Sequence, residues 1–143
     1  MGDRAYAEIV CRTDDAPLFE AMGFMEEFRP GLPGHLLAMV DAAASEGNSS
    51  ELRALAEKGI VFRGWHDAGA SYDGACFASA GGKFYKAPRL NHSDLPSIEV
   101  HADGTVDADQ LLAAREYLLA SDQVGSMFGF PSGAESEEAT QQC

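Results

Sequence analysis

The stretch from residue 59 to residue 87 constrains the fold most strongly, because it combines β-type alternation with closely spaced glycines. An apolar run over residues 60–65 predicts a short buried strand, and the alternation over residues 75–80 predicts a second one. Gly81 and Gly82 follow directly and predict a type I′ hairpin turn, since both central positions of that turn require a positive φ. The residues after this turn supply the return strand. The middle of the chain is therefore predicted to be an antiparallel sheet.

The remaining elements are predicted from periodicity and from helix caps. Alternation over residues 5–12 predicts a first strand, and the apolar residues of 97–101 predict another. Segment 24–28 fits either a short strand or a helical turn. Helical spacing predicts helices over residues 15–23, 33–47, 48–59 and 107–121. The fold class is thus α+β, with a largely antiparallel four- or five-stranded sheet and three or four helices packed on one face.

Two of these helices have predicted core-facing sides. In the second helix, five apolar residues lie at helical spacing, namely Leu36, Leu37, Val40, Ala43 and Ala44. In the last helix, Asp107 is the predicted N-cap. The broad apolar face of that helix is formed by Leu111, Leu112, Ala114, Leu118 and Leu119. Both helices are expected to bury these side chains against the sheet.

The length of 143 residues fits one domain with a single hydrophobic core, predicted over residues 1–131. Residues 132–143, SGAESEEATQQC, are polar, acidic and aperiodic, and we expect them to be disordered. No apolar run approaches the roughly 18 residues of a membrane span. The three cysteines, Cys11, Cys76 and Cys143, are odd in number and widely spaced. This argues against a disulfide framework and favours a reducing cytoplasm.

Charge is the most informative global property of the sequence. The net charge of −13 comes from eleven acidic and five basic residues up to residue 58, three and four over residues 59–95, and nine and one from residue 96 onward. Direct nucleic-acid binding is disfavoured, because affinity for phosphates comes chiefly from Lys and Arg. The acidic flanks favour a basic host protein or nucleoprotein complex as partner. The alternative is that this charge serves only solubility.

Binding residues are predicted on two surfaces. The glycine-rich loop after residue 64 presents aromatic side chains, which are the usual anchors of protein interfaces. The last helix and its approach carry spaced carboxylates, which can imitate the phosphates of a DNA duplex or form an ordinary solvated helix face. The predicted partner-binding residues are Trp65, Tyr72, Asp73, Asp103, Asp107, Asp109 and Glu116.

No catalytic, metal or nucleotide motif of high specificity occurs in the sequence, so no catalytic residue and no cofactor is predicted. One alternative is a small metal-binding protein or hydrolase that uses residues of the sheet loops, namely His66, Asp67, Asp73, His92 and His101. Cys76 next to a histidine could form a thiolate, but its strand position favours a buried, unreactive thiol. A homodimer through Met127, Phe128 and Phe130 is another alternative.

A family resemblance is carried by several segments together. They are Cys11-Arg12 with the acidic cap after it, FEAMGF at residues 19–24, GIVFRGWHDAGASYDG at 59–74 and HADGTVD at 101–107. Over residues 5–124 the chain resembles small acidic accessory proteins carried by phages and plasmids, among them anti-CRISPR inhibitors. The resemblance implies a non-enzymatic inhibitor or adaptor that blocks a basic nucleic-acid-binding complex, and it implies no catalytic residue.

Overall fold

A six-stranded antiparallel sheet is the centre of the molecule. The computed structural model describes residues 4–45, 48–69, 72–90, 93 and 95–130. The strands are β1 (Arg4–Arg12), β2 (Met25–Glu27), β3 (Leu36–Ser45), β4 (Phe62–His66), β5 (Ala75–Ala80) and β6 (Lys83–Pro88), in the spatial order β2-β3-β1-β4-β5-β6. The helices of these residues are α1 (Ala16–Glu20), α2 (Ser49–Glu57) and α3 (Ala108–Met127).

The two short helices pack on one face of the sheet. Phe19 of α1 and Leu52 of α2 are fully buried against Phe62 of β4 and Phe77 of β5. The rings of Phe19 and Phe62 meet edge to face, with their centroids 5.3 Å apart. Burial of each such side chain contributes about 1.5–3 kcal/mol, so this layer is a main source of the stability of the fold.

The long helix α3 packs on the opposite face, against small side chains of β5 and β6. On these strands the residues that face it are Cys76, Ala78, Ala80 and Ala87. On α3 the buried residues are Ala114, Tyr117, Ala120, Val124 and Gly125. Because both contacting surfaces are lined mostly by small residues, the helix buries its alanine side and leaves its leucines outside.

The α+β class and the antiparallel sheet are confirmed, and three helices agree with the predicted range. The strands predicted from residues 5–12, 60–65 and 75–80 are present as β1, β4 and β5. The hairpin turn between β5 and β6 has a φ of 60° at Gly81 and 80° at Gly82, as a type I′ turn requires. Segment 24–28 resolves as the short edge strand β2.

The helix predicted over residues 33–47 is wrong, because this segment forms β3. β3 lies inside the sheet, between β2 and β1. Met39 packs with the α1 and α2 layer, whereas Leu36 packs with the α3 layer. A strand covered on both faces has apolar residues at nearly every position, and such a run matches a helical stripe by coincidence.

Two further parts of the predicted architecture are corrected. Helices cover both faces of the sheet rather than one, and the sheet has six strands rather than four or five. Segment 97–101 is not a sheet strand: Ser97 N–H donates once to Pro88 O at the end of β6 (2.7 Å), Asp107 N–H donates to Glu99 O (3.1 Å), and Val100 forms an isolated bridge with Val106. The predicted disordered tail, residues 132–143, lies outside the described residues.

Candidate functional site

Helix α3 starts at a well-formed cap that also fixes the loop before it. The Asp107 carboxylate accepts a hydrogen bond from the backbone N–H of Gln110 at 2.9 Å, which confirms the predicted N-cap. The side-chain oxygen of Gln110 accepts one from the backbone N–H of Glu99 at 2.6 Å. The loop over residues 95–99 is therefore held beside the first turns of the helix.

The outer face of α3 carries an exposed row of leucines. Leu111, Leu112, Leu118 and Leu119 are 47%, 55%, 43% and 63% exposed. Of the five residues predicted to face the core, only Ala114 is buried. The core-facing assignment of α3 was therefore wrong, and the physical reason is that the alanine side of the helix fits the alanine-rich strands more closely.

Three of these leucines, Leu111, Leu118 and Leu119, border a groove of about 410 Å³, which we call the α3 groove. One wall is the helix and the other is the loop at residues 95–98, where Leu95 is 65% exposed. The lining is almost entirely apolar, and its residues are Leu95, Pro96, Ile98, Leu111, Ala114, Arg115, Leu118 and Leu119. Exposed apolar surface gathered in one concave place is typical of binding sites.

Two exposed acidic residues lie on the side of α3 away from the α3 groove. Asp109 and Glu116 are both exposed and are seven residues apart, so they lie on one side of α3, about two turns from each other. They flank Leu112 on that side of the helix. Glu116 lines a separate pocket with Arg53 and Lys83, whereas the charged residue in the lining of the α3 groove is Arg115.

A second, polar groove continues from the first. It encloses about 570 Å³ and shares Ile98 with the α3 groove. Exposed Asp73 and Glu99 stand on its walls, and Arg89 lies in its lining, so we call it the Arg89 groove. The two grooves together form one surface that runs from the leucines of α3 to the end of β6.

The positive charge of Arg89 is already compensated within the protein. Its side chain is only 4% exposed, and its Nη1 lies 3.3 Å from an Asp67 carboxylate oxygen. Its Nε donates to Ser93 O at 2.8 Å, and its guanidinium stacks 4.5 Å from the centre of the Trp65 ring. Since this cation is paired, Asp73 and Glu99 determine the charge that the Arg89 groove offers to a ligand.

The structure separates the two aromatic residues predicted as anchors. Trp65 is half-buried on the α3 side of the sheet, between Arg89 and the ring of Tyr6, whose centroid is 5.4 Å away. Tyr72 contacts the ring of His66 at 5.5 Å, and the His66 side chain alternates to the other face of the sheet. Trp65 and Tyr72 therefore do not form one binding surface.

The four predicted acidic residues of the helix region have different environments. Asp103 accepts hydrogen bonds from the N–H of Thr105 at 2.9 Å and from its hydroxyl at 2.7 Å, and these bonds lower the pKa of Asp103. Asp107 caps α3. Both carboxylates thus stabilise local structure, whereas Asp109 and Glu116 are exposed beside the leucines.

The residues of the metal or hydrolase alternative are not brought together. His66 is fully buried, its Nδ1–H donates to Asp67 O at 2.9 Å, and burial is the main cause that lowers its pKa. His101 is exposed at a turn, and His92 lies outside the described residues. Within the described part of the chain, no three His, Cys, Asp or Glu side chains are arranged to hold a metal ion.

The described residues also lack the geometry that the reactive thiol and the homodimer patch require. Cys76 is 3% exposed, and burial raises the pKa of its thiol to about 11, which fits the predicted unreactive strand cysteine. Phe128 is fully buried in the α3 layer, so Met127, Phe128 and Phe130 do not present a common outer surface. None of the helices described in the structure is both long enough and apolar enough to cross a membrane.

Sequence reasoning missed Leu95, Ile98, Glu99 and Arg115 as site residues. A usable signal was present in α3, because Ala114, Tyr117, Ala120 and Val124 form a second stripe at helical spacing. Two competing apolar stripes on one helix mean that one of them faces outward.

No protein-family model, curated protein or solved structure matches this chain. What the protein does must therefore be inferred from its own residues.

Proposed function

We propose that this protein is a non-enzymatic inhibitor or adaptor that binds another protein through the α3 groove. The observation that carries the proposal is the exposure of three leucines of α3 next to Leu95 in one apolar groove. A monomeric soluble protein seldom exposes large side chains in a contiguous patch, and such patches usually mark interaction sites.

Another pair of exposed apolar residues supports a weaker surface. Met25 and Phe28 are 71% and 85% exposed at the β2 edge, but they are two residues on an open edge rather than the lining of a groove. Packing several apolar side chains into a concave surface excludes water from the centre of an interface, which is where most binding energy is found. The α3 groove offers such a centre.

The charge of the chain favours a basic partner. The net charge is −13, and Asp73 and Glu99 are exposed in the Arg89 groove that adjoins the α3 groove. Opposite charge on a partner accelerates encounter and disfavours acidic competitors. A nucleic-acid-handling complex of the host, blocked in the manner of an anti-CRISPR protein in the cytoplasm, is the specific partner class that we propose.

A capture experiment with two matched variants tests this function. The groove variant carries Leu95→Gln and Leu119→Gln, at positions 65% and 63% exposed, and the edge variant carries Met25→Gln and Phe28→Gln. We expect a basic partner to be retained by the wild type and the edge variant and to be lost from the groove variant, with circular dichroism showing that both variants fold. Equal retention by the groove variant, or loss from the edge variant alone, would overturn the proposal.

A further inference from the structure

We propose that the α3 groove binds a single-chain carboxylate, whose alkyl chain lies along the leucines and whose carboxylate pairs with Arg115. Such a ligand is a small molecule, so its binding does not require the partner protein of the proposed function. Three features carry the assignment: the size and shape of the groove, the hydrogen bonds that hold its outer wall, and a cation that has no protein partner among the described residues.

The α3 groove has the size and the lining of a small-molecule site. Its volume of about 410 Å³ lies within the range of roughly 300–1,000 Å³ that is typical of ligand pockets. On its helix wall, Leu111 and Leu119 are eight residues apart, which corresponds to about 12 Å. An α-helix of that length is about 10 Å across and occupies roughly 900 Å³, so it would enter the groove by one edge only. An extended alkyl chain is narrow enough to lie within it.

Hydrogen bonds on both sides hold the loop that forms the outer wall. Ser97 N–H donates to Pro88 O at 2.7 Å. Glu99 N–H donates to the side-chain oxygen of Gln110 at 2.6 Å. These two bonds anchor the loop on either side of Ile98, which lines the groove. The groove is therefore formed without a ligand, so binding requires little further ordering of the protein.

Among the described residues that line the groove, Arg115 is the one that carries a charge. It is exposed, and it lies four residues from both Leu111 and Leu119, beside the middle of the leucine row. No hydrogen bond, ion pair or ring contact joins its side chain to another residue that the structure describes, whereas Arg29 and Arg89 pair with carboxylates. In a chain with 23 acidic residues, this arginine is left available to an anionic ligand.

The chemistry of the ligand follows from the apolar lining and the cation together. The lining favours an alkyl chain, because each methylene that leaves water stabilises the complex. A guanidinium favours a planar carboxylate, which accepts two parallel N–H···O hydrogen bonds from it. A neutral chain would leave Arg115 without a partner, and an alkyl ammonium would be repelled by it. A ligand with one chain and one carboxylate matches both properties.

Two occupants supplied by this chain fit the groove less well. In an antiparallel pairing of two copies centred on the leucine row, Arg115 would face its own copy, because it lies four residues from both Leu111 and Leu119. Each molecule also has a net charge of −13, which opposes self-association. The segment over residues 131–143 contains no Leu, Ile, Val, Met or aromatic residue to fill the groove.

NMR shift mapping on the full chain with decanoate, decanol and decylamine tests the inference. Each ligand is kept below its micelle concentration at pH 7.5, where the carboxylate and the amine are both ionised. General attraction to a protein with a net charge of −13 favours the amine. We expect decanoate to bind most tightly instead, with shifts centred on residues 95–98 and 111–119. Lengthening the chain from octanoate to dodecanoate should raise the affinity by up to about fourfold for each buried methylene.

Matched variants separate the charge from the apolar contact. Arg115→Gln should weaken decanoate binding roughly tenfold and leave the affinity for decanol unchanged. Arg115→Glu should reverse the preference, so that decylamine binds more tightly than decanoate. Arg53→Gln removes a cation from a separate pocket and is the control for net charge, with an expected change below about twofold. The groove variant, Leu95→Gln with Leu119→Gln, should weaken both decanoate and decanol.

Several results would overturn the inference. They are tighter binding of decylamine than of decanoate by the wild type, equal losses with Arg115→Gln and Arg53→Gln, and shifts centred outside the groove. A dimer in sedimentation that the groove variant abolishes and decanoate does not would identify a second copy as the occupant. Capture of the partner through the groove without decanoate binding would overturn the carboxylate site and leave the proposed function standing. Decanoate binding with undiminished capture by the groove variant would do the reverse.

Discussion

Gly64 of β4 is paired with Ile9 of β1 on one side and with Phe77 of β5 on the other. A Cβ atom at this position would overlap the carbonyl oxygen of Glu8 and lie 2.9 Å from the Cα of Ile9. Both obstacles belong to the backbone of a central strand, so side-chain rotation cannot relieve them. The glycine is therefore required by space rather than by its dihedral angles.

We expect Gly64→Ala to lower the free energy of unfolding by about 3 kcal/mol, at the upper end of the usual cost of overpacking. Gly34→Ala is the control, because a Cβ there meets no heavy atom within 4 Å. Urea unfolding followed by circular dichroism gives both values. A cost below 1 kcal/mol at Gly64 would mean that β1 and β4 separate easily, in conflict with their observed register.

His66 makes the stability depend on pH. Burial is the main cause that lowers its pKa, and the nearby cations Lys86 and Arg89 lower it further, against the hydrogen bond to Asp67 O and the Asp67 charge. The unfolded chain takes up this proton near pH 6.5, whereas the folded protein takes it up only at lower pH. The unfolded state thus binds more protons in that interval, and stability falls as the pH is lowered through it.

His66→Asn tests this assignment, because the amide can keep a donor near Asp67 O without titrating. We expect the variant to be less stable than the wild type at pH 7.5 but to lose less stability on going to pH 5.5. The comparison uses urea unfolding of both proteins at both pH values, so that the other titrating groups contribute equally. An unchanged pH dependence in the variant would assign the effect to another group.

At the scale of single elements, Asp107 can act in two ways: its carboxylate caps α3, and its charge contributes to the acidic surface. Asp107→Ala should destabilise the protein by about 1 kcal/mol, since it removes the acceptor for the Gln110 N–H. Asp107→Asn removes the charge but keeps an acceptor, so it should retain most of the stability. Thermal unfolding distinguishes the two, and equal losses would show that charge rather than the cap matters. A binding study that reverses the charge of Asp107 would change the stability of α3 and the surface charge together, so it could not separate the two effects.

The hairpins could be predicted from the sequence because their signals are local. Gly81 and Gly82 have the positive φ values that their dipeptide implies, and β5 forms where it was predicted, although all six of its residues are buried rather than alternating. The identity of β3 could not be predicted in the same way. Its alanines favour a helix, and only its pairing with β2 on one side and β1 on the other makes it a strand. Tertiary contacts override local preference there.

The candidate site was predicted only in part for a similar reason. Asp109 and Glu116 are exposed beside the leucines, whereas Asp103 and Asp107 serve a turn and a cap. A pattern of carboxylates does not show which of them bond to their own backbone. The leucines were predicted to face the core because they form a broad apolar face, yet the alanine-rich surface of β5 and β6 favours the small side of α3.

At the scale of the whole molecule, core and binding surface are built from the same residue type in different places. Leu52 of α2 is fully buried, whereas Leu119 of α3 is 63% exposed. Removing buried methyl groups leaves a cavity, so Leu52→Ala should cost about 2–5 kcal/mol. Leu119→Ala removes little buried area and should change the stability by less than about 0.5 kcal/mol.

Binding should rank these two variants in the opposite order. Measured with the captured partner under conditions where both variants are folded, Leu119→Ala should weaken the affinity, because Leu119 lines the α3 groove, whereas Leu52→Ala should leave it near the wild-type value. Urea unfolding gives the stability of each variant, and titration with the partner gives its affinity. A large stability loss at Leu119 would place that leucine in the core. Weak binding by folded Leu52→Ala would instead show that the α2 layer shapes the interaction surface.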